Sequence, residues 1–470
     1  MFVSSALIGL NATMLNVALP DAVADLGASA FQGSWMLLAY MLFSGALLVL
    51  MGQISDRYDP RRVFLSGLLT FAAASLALVV AQDPWLFIVA RAVQGAGGAM
   101  LLANSAAIVV LLFRGPGLGG AMGVYLAGFA VAQTAGPSIG GVATALGSWR
   151  WIFLLTLAVA TVTLALAWGI LRSLPTRSSS GSAGSGVDWL GNALIFASVA
   201  ALLLGLSRAQ DAGWVSLELV GPVLLSLVLL RLLLRVERRA RHPALDLALL
   251  RSRSFTSANY AGGALIVPRL VTAILISLYL QGVLGDGPAE AALKITPLPA
   301  GVALGSILGG RLTRYDERLV ALCYSVVVLA GVGAVLAWLL IDGPTVLLLL
   351  ALAVVGLSTG AFATVNSTTI LHEAPPERAG SVNAVRTLFQ LLGTMLGTSL
   401  MLTLVAGGLS ATQAEQFLAG RDERLTASTQ SLLDQHFVLA FAVMALLVLS
   451  AIGASLLLVR SPRPAGKTAA

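Results

Sequence analysis

Three arginines, Arg91, Arg269 and Arg386, stand inside long apolar stretches. A guanidinium near the centre of a hydrocarbon layer costs about 2.5–3.5 kcal/mol even on a lenient scale, so such a residue is read first as part of a functional site. Arg91 is the strongest of the three. Gln94 follows it by three residues, on the same helix face, and the amides Asn11 and Asn16 in the first apolar stretch are further polar groups of the kind it needs. The chemistry on offer is charge recognition and hydrogen bonding of a small ligand; the alternative is structural, with Arg91 bonded to carbonyls or to neighbours such as Asn16. Arg269 follows Pro268, whose missing N–H leaves a gap in the helix ladder, and binding and structure are equally open there. Arg386 reads as an arginine that snorkels toward the end of its helix. Tyr279, with Tyr40, Tyr125, Phe129, Phe153 and Tyr260, offers aromatic surface either to a cavity or to ordinary helix packing.

The acids are placed differently. All 21 Asp and Glu residues fall in loops or at expected helix ends. An interior with three arginines and no deep carboxylate suits neutral, zwitterionic or anionic amphiphiles better than lipophilic cations. His242, His372 and His436 have no metal-ligand spacing, so no metal is expected. Gly466-Lys467-Thr468 is a fragment of a phosphate loop with Ser461 where the upstream glycine belongs, so neither ATP nor any other cofactor is expected.

The elements that must hold these residues are membrane helices. The chain has 470 residues, is 58% hydrophobic and only 10% charged, against about 25% charged for a soluble domain. Fourteen apolar runs of spanning length follow one another, from Phe2–Leu19 and Gly33–Met51 through Ala291–Leu312 to Phe437–Val459. A net charge of +7 raises nucleic acid as a partner, but the distribution of the basic residues excludes it. If the loop with Arg57, Arg61 and Arg62 is cytoplasmic, 20 of the 28 basic residues lie on that side and 5 on the other, the pattern of a polytopic protein with both termini cytoplasmic. The tryptophans fall at or near helix ends, as interfacial residues do. Cys323 lies within a helix and has no second cysteine to pair with. The first run starts at Met1 without a basic leader or cleavage site and reads as a retained span, with an upstream start left open.

The runs are organised by a repeat. Gly52-Gln-Ile-Ser-Asp-Arg-Tyr-Asp-Pro-Arg-Arg-Val63 recurs about 257 residues later as Gly309-Gly-Arg-Leu-Thr-Arg-Tyr-Asp-Glu-Arg-Leu-Val320, and the same offset pairs Gly123 with Gly380, Gly136 with Gly393 and Gly140 with Gly397. Parallel duplication in a hydrophobic chain is a mark of secondary transporters, whose substrate site lies between the halves. The expected division is a six-helix bundle over 1–171, a linker, two inserted helices and a basic cytoplasmic segment over 172–254, a second six-helix bundle over 255–460, and a tail over 461–470. The segment Arg231–Arg253 is expected at the membrane surface, against anionic lipid. In the fifth span Gly128, Ala132, Gly136 and Gly140 form a small-residue stripe for close helix approach, and Pro137 beside it favours a bend.

The loop Gly52, Asp56, Arg57, Arg61 and Arg62 resembles the cytoplasmic signature of the major facilitator superfamily. Asn11-Ala-Thr-Met-Leu-Asn-Val-Ala-Leu-Pro20, Arg91-Ala-Val-Gln-Gly-Ala-Gly97 and Gly136-Pro-Ser-Ile-Gly-Gly141 resemble signatures of its fourteen-helix drug:proton antiporter branch. The resemblance covers nearly the whole chain. It implies an all-α membrane protein of the major-facilitator fold in a bacterial cytoplasmic membrane, exporting amphiphilic small molecules by alternating access. Asn11, Asn16, Arg91, Gln94, Arg269 and Tyr279 would lie at or near the cavity. Gly52, Asp56, Arg57, Arg61 and Arg62, with Gly136, Pro137 and Gly140, would govern switching, as a latch of charges and a close-packed helix contact. Arg91 resembles the superfamily's fourth-helix arginine associated with proton coupling. The branch's first helix normally carries an Asp where this chain has Asn11, and an amide does not exchange a proton near neutral pH. Protons are then partners only through Asp21, Asp25 or Asp56, each of which also reads as a loop or latch charge. Two other readings stay open: an exporter of an endogenous lipid or anionic metabolite with altered coupling, and a non-transporting sensor on the same scaffold.

Overall fold

The computed structural model describes residues 2–113, 117–172, 187–212, 217–240, 247–341, 343–373, 379–407 and 427–460. Among them are seventeen helices and no strand. In chain order they are α1 (Phe2–Asp25), α2 (Ala30–Ala46), α3 (Leu48–Arg57), α4 (Pro60–Val79), α5 (Pro84–Leu112), α6 (Gly117–Ala145), α7 (Arg150–Arg172), α8 (Trp189–Ala212), α9 (Leu217–Glu237), α10 (Leu247–Arg251), α11 (Arg253–Gly282), α12 (Pro288–Ile295), α13 (Pro297–Leu312), α14 (Glu317–Ile341), α15 (Thr345–Glu373), α16 (Ala379–Ala406) and α17 (Ala427–Arg460). The expected Ser/Gly linker 177–186 and the tail 461–470 lie outside the described residues.

Among the described residues eleven helical segments are long and apolar enough to cross a membrane. The other three expected spans coincide with shorter apolar stretches, Phe2–Leu15, Gly117–Gln133 and Trp189–Gly205. Two expected spans each consist of two consecutive helices that together remain one segment long enough to cross a membrane. The run Gly33–Met51 is interrupted at Leu47, between α2 and α3, and the run Ala291–Leu312 at Thr296, between α12 and α13. The second break has a plain cause, since Pro297 carries no N–H with which to continue the α12 ladder. The last helix starts ten residues before the expected Phe437, at Ala427.

Local sequence sets several helix starts. Asp59 and Asp83 each precede a proline and each caps the helix that follows: the Asp59 carboxylate accepts from Arg61 N, and that of Asp83 from Trp85 N and Leu86 N. Ser29 and Gln32 form a reciprocal capping box on α2.

The chain divides into two compact units. The first comprises Met1–Gly115, Gly128–Arg251 and Ala374–Leu388; the second comprises Pro116–Ala127, Ser252–Glu373 and Phe389–Ala470. In the first unit α1 lies against the latter part of α6 at backbone contact. A Cβ added at Gly136 would strike Thr13, one at Gly140 would strike the Met14 carbonyl, and one at Gly9 would stand 2.5 Å from Phe129 O. Thr13 also donates across the contact to Gln133 O at 2.9 Å. In the second unit the repeat partners behave alike: Gly393 abuts Gly263 of α11, and Gly397 abuts Val267.

The repeated loop has the same construction in both units. Arg61 is buried, donates to both Asp59 oxygens at 2.6–3.0 Å, and reaches the Leu171 carbonyl near the end of α7 at 3.5 Å. Its counterpart Arg318 is buried as well and donates to the Leu458 carbonyl near the end of α17 at 3.3 Å and to Ser254 Oγ at 3.3 Å. Each arginine thus supplies donors to an open helix C-terminus within its own unit.

The Asp59 carboxyl is held below its ordinary value. Burial alone would raise it, but the hydrogen bonds from Arg61 and the charges of Arg61 and Arg62 outweigh that. A depressed folded-state pKa contributes stability that is present above the unfolded value, about 3.9, and lost as pH falls through the folded one. Asp59→Asn should therefore melt lower than wild type at pH 7, by the equivalent of about 1–3 kcal/mol. The gap should close in thermal melts of the purified protein below about pH 4.

Candidate substrate and coupling site

Arg91 sits on α5 about 10 Å in from the helix start and is 2% exposed. Its partners come from three helices. Nε donates to the Met36 carbonyl of α2 at 3.1 Å, and Nη1 donates to Gln94 Oε1 at 2.7 Å and to Asn11 Oδ1 of α1 at 3.4 Å. The guanidinium carbon lies 4.4 Å from the centre of the Tyr40 ring. Gln94 passes the chain on, donating to Ser75 Oγ of α4 at 2.9 Å, and Thr156 of α7 reaches the same hydroxyl at 3.5 Å. Each hydrogen bond to a charged group is worth about 1.5–3 kcal/mol, so the set offsets the cost of placing the charge there. Among the described residues Arg91 has no carboxylate partner.

The glycines that follow Arg91 let these partners close in. A Cβ at Gly95 would lie 2.6 Å from Tyr40 O, one at Gly97 would lie 2.9 Å from Phe71 N, and one at Gly98 would lie 3.1 Å from the Tyr40 hydroxyl. The stretch from Arg91 to Gly98 therefore joins a charge to the close packing that shields it. Gly356 meets the Leu298 carbonyl of the second unit as Gly95 meets that of Tyr40. Matched on that contact, Leu352, Val355 and Leu298 occupy the places of Arg91, Gln94 and Tyr40, and all three are buried apolar residues. The polar cluster is present in one copy of the repeat only.

Asn11, Arg91 and Gln94, expected together, are hydrogen-bonded together. The side chain of Asn16 lies outside the described residues. Arg269 is half-buried on α11 and Tyr279 is buried on the same helix, both in the second unit. Tyr279 stands edge-on to Trp338 of α14, at 5.6 Å, and to Phe437 of α17, at 5.1 Å. The expectation for Arg386 needs correction: it does not snorkel, being 5% exposed and donating twice to Asn383 Oδ1, at 2.9 and 3.1 Å. Asn383 in turn donates to the Leu102 and Ala103 carbonyls of α5. The expected latch is placed only in part. Gly52 is buried on α3, Arg57 and Arg62 are exposed, and the side chains of Asp56 and Pro137 lie outside the described residues.

Sequence reasoning passed over Asp59, Ser75 and the Met36 carbonyl. Asp59 carried a usable signal, the Asp-Pro helix start. Among the acids weighed as proton carriers, Asp25 accepts from Arg150 at 2.6 Å and from Trp149 Nε1 at 3.1 Å, tying the end of α1 to the start of α7. Those two bonds hold its carboxyl below the usual range.

The family model described as Major Facilitator Superfamily matches residues 1–398 and 269–470. The chain is 30% identical over 448 residues to the puromycin resistance protein pur8 of Streptomyces alboniger, covering 94% of this chain and 87% of that protein. It is 27% identical over 393 residues to the multidrug transporter protein MdtP of Bacillus subtilis, covering 83% and 72%. Among solved structures, the human organic anion transporter MFSD10 superposes with a TM-score of 0.62 at 16% identity, covering 94% of this chain and 97% of that one.

Because Ser75 is the acceptor for Gln94, Ser75→Ala should leave a buried amide N–H without its partner and cost about 1–3 kcal/mol. The melting temperature of the purified protein should fall. Ser66→Ala, which removes a hydroxyl bonded only to the Val63 carbonyl of its own helix, should change it little.

Proposed function

Since the chain belongs to the major facilitator superfamily, we propose that it is a secondary active exporter of drug- or antibiotic-type amphiphiles, working by alternating access in a bacterial cytoplasmic membrane. Its relatives include a puromycin resistance protein and a multidrug transporter. On this proposal fourteen spans are arranged as six, two and six, with both termini cytoplasmic and the basic segment against anionic lipid. Asn11, Asn16, Arg91, Gln94, Arg269 and Tyr279 are the substrate and coupling residues. Gly136, Pro137 and Gly140 with the Gly52–Arg62 loop govern switching, since a helix contact without side chains in between resists intermediate positions.

The observation that carries the reading is the Arg91 cluster. It is a buried cation held by an amide, a carbonyl and an aromatic face, with an amide at position 11 that neither neutralises it nor exchanges a proton. Proton coupling through residue 11 is therefore no part of the proposal. The same observation favours a second reading, export of an anionic metabolite or lipid, because an uncompensated guanidinium recognises negative charge.

Proteoliposome efflux of cationic, neutral and anionic amphiphiles at two imposed pH gradients tests both readings. Neutral or anionic compounds should be carried in preference to cations, and Arg91→Ala should reduce their transport at least about tenfold, the loss of one charged hydrogen bond. Preferred transport of cations, with Arg91→Ala at wild-type rate, would overturn the assignment.

A further inference from the structure

The inserted helices α8 and α9 have no part in the site or the switch described so far. Two side chains of α8, one turn apart on one face, reach the span made of α2 and α3. The Phe196 ring meets that of Phe43 of α2 edge-on, with centroids 5.2 Å apart. Asn192 Nδ2 donates to Gln53 Oε1 of α3 at 2.6 Å. Asn192 is buried, and the same nitrogen donates to the Asp188 carbonyl at 2.6 Å, which fixes the amide plane and leaves it aimed at Gln53.

Phe43 and Gln53 lie on either side of Leu47, the one residue between α2 and α3 outside the helical pattern. An interrupted helix bends most easily at its interruption, and α3 carries the first half of the Gly52–Arg62 segment. From the bundle side α5 also reaches across Leu47: a Cβ at Gly95 would lie 3.1 Å from Ser44 N, and Asn104 accepts from Ser55 Oγ. The span is thus held between a bundle helix and an inserted one. We propose that α8 is a splint, in which Asn192 and Phe196 are positioning residues that keep α3 in line with α2 and so fix where the Gly52–Arg62 segment stands. That this segment governs switching rests on the export reading; the splint itself does not.

The test is limited trypsin digestion of the purified full-length protein in detergent. Cleavage after the exposed Arg57 is followed by mass spectrometry against cleavage after the exposed Arg314, its counterpart in the repeat. When opening and closing are fast, cleavage tracks the population of the opened form. Asn192→Leu and Phe196→Ala should speed cleavage after Arg57 about two- to tenfold, the equivalent of one neutral hydrogen bond, and leave cleavage after Arg314 unchanged. Exchanging the two amides, Gln53→Asn with Asn192→Gln, should restore the wild-type rate. Ser226→Ala, which removes a bond from α9 to the Ser198 carbonyl of α8, should change neither. Equal cleavage after Arg57 in wild type and Asn192→Leu would overturn the splint, and so would a rise of the same size after Arg314. In proteoliposomes Asn192→Leu should lower the maximal rate of efflux of chloramphenicol, a neutral amphiphile, by a similar factor with KM unchanged, and the exchanged pair should recover it. A wild-type maximal rate in Asn192→Leu despite faster cleavage would overturn the link from splint to switching. No chloramphenicol efflux by wild type would count against the export reading, and the digestion would still decide the splint.

Discussion

A charge placed among apolar helices has to be solvated by the protein itself, and in the first unit that requirement falls on Arg91. Its Nε is given a backbone carbonyl, its Nη1 two amide oxygens, and its plane an aromatic ring. No one helix can do this. Residues from α1, α2, α4, α5 and α7 form the network, and Gly95, Gly97 and Gly98 allow the approach. The packing of the unit and the location of its charge are in this sense one arrangement: a side chain at Gly95 would push away the backbone of the residue whose ring covers the guanidinium.

The duplication separates what the fold needs from what the site needs. The arginine that serves a helix C-terminus is kept in both copies, as Arg61 and Arg318. So are the glycine contacts, Gly136 and Gly140 against α1, and Gly393 and Gly397 against α11. The polar cluster is not kept, since Leu352 and Val355 stand where Arg91 and Gln94 do. Features common to both copies serve architecture by the simplest account. The feature confined to one copy is where specific chemistry is to be sought.

Much of this could be read beforehand, for identifiable reasons. Helical period puts Arg91 and Gln94 on one face, and Gly136 and Gly140 on another, whatever the surroundings. Asp-Pro marks the starts of α4 and α5 because proline needs no N–H partner there and aspartate accepts the next ones. Other parts were not legible. Nothing in the identity of Met36 says that its carbonyl will receive a guanidinium, and nothing at Leu47 signals a break between α2 and α3. Ser75 resembles any helix serine bonded to its own backbone, as it is to Phe71 O, and only tertiary packing brings Gln94 to it. Arg386 was misread because snorkelling is the usual fate of an arginine near a helix end, whereas Asn383, one turn earlier, provides an acceptor inside the protein.

The account turns on residue 11, where an amide rather than an acid touches Arg91. Its most direct test is the number of protons moved per substrate in proteoliposomes, read together from a pH-sensitive dye and substrate flux, in wild type and in Asn11→Asp. The account predicts a higher ratio for Asn11→Asp, because a carboxylate against Arg91 changes its affinity for a proton whenever the cluster opens and closes. Equal ratios in two proteins that both transport would contradict it.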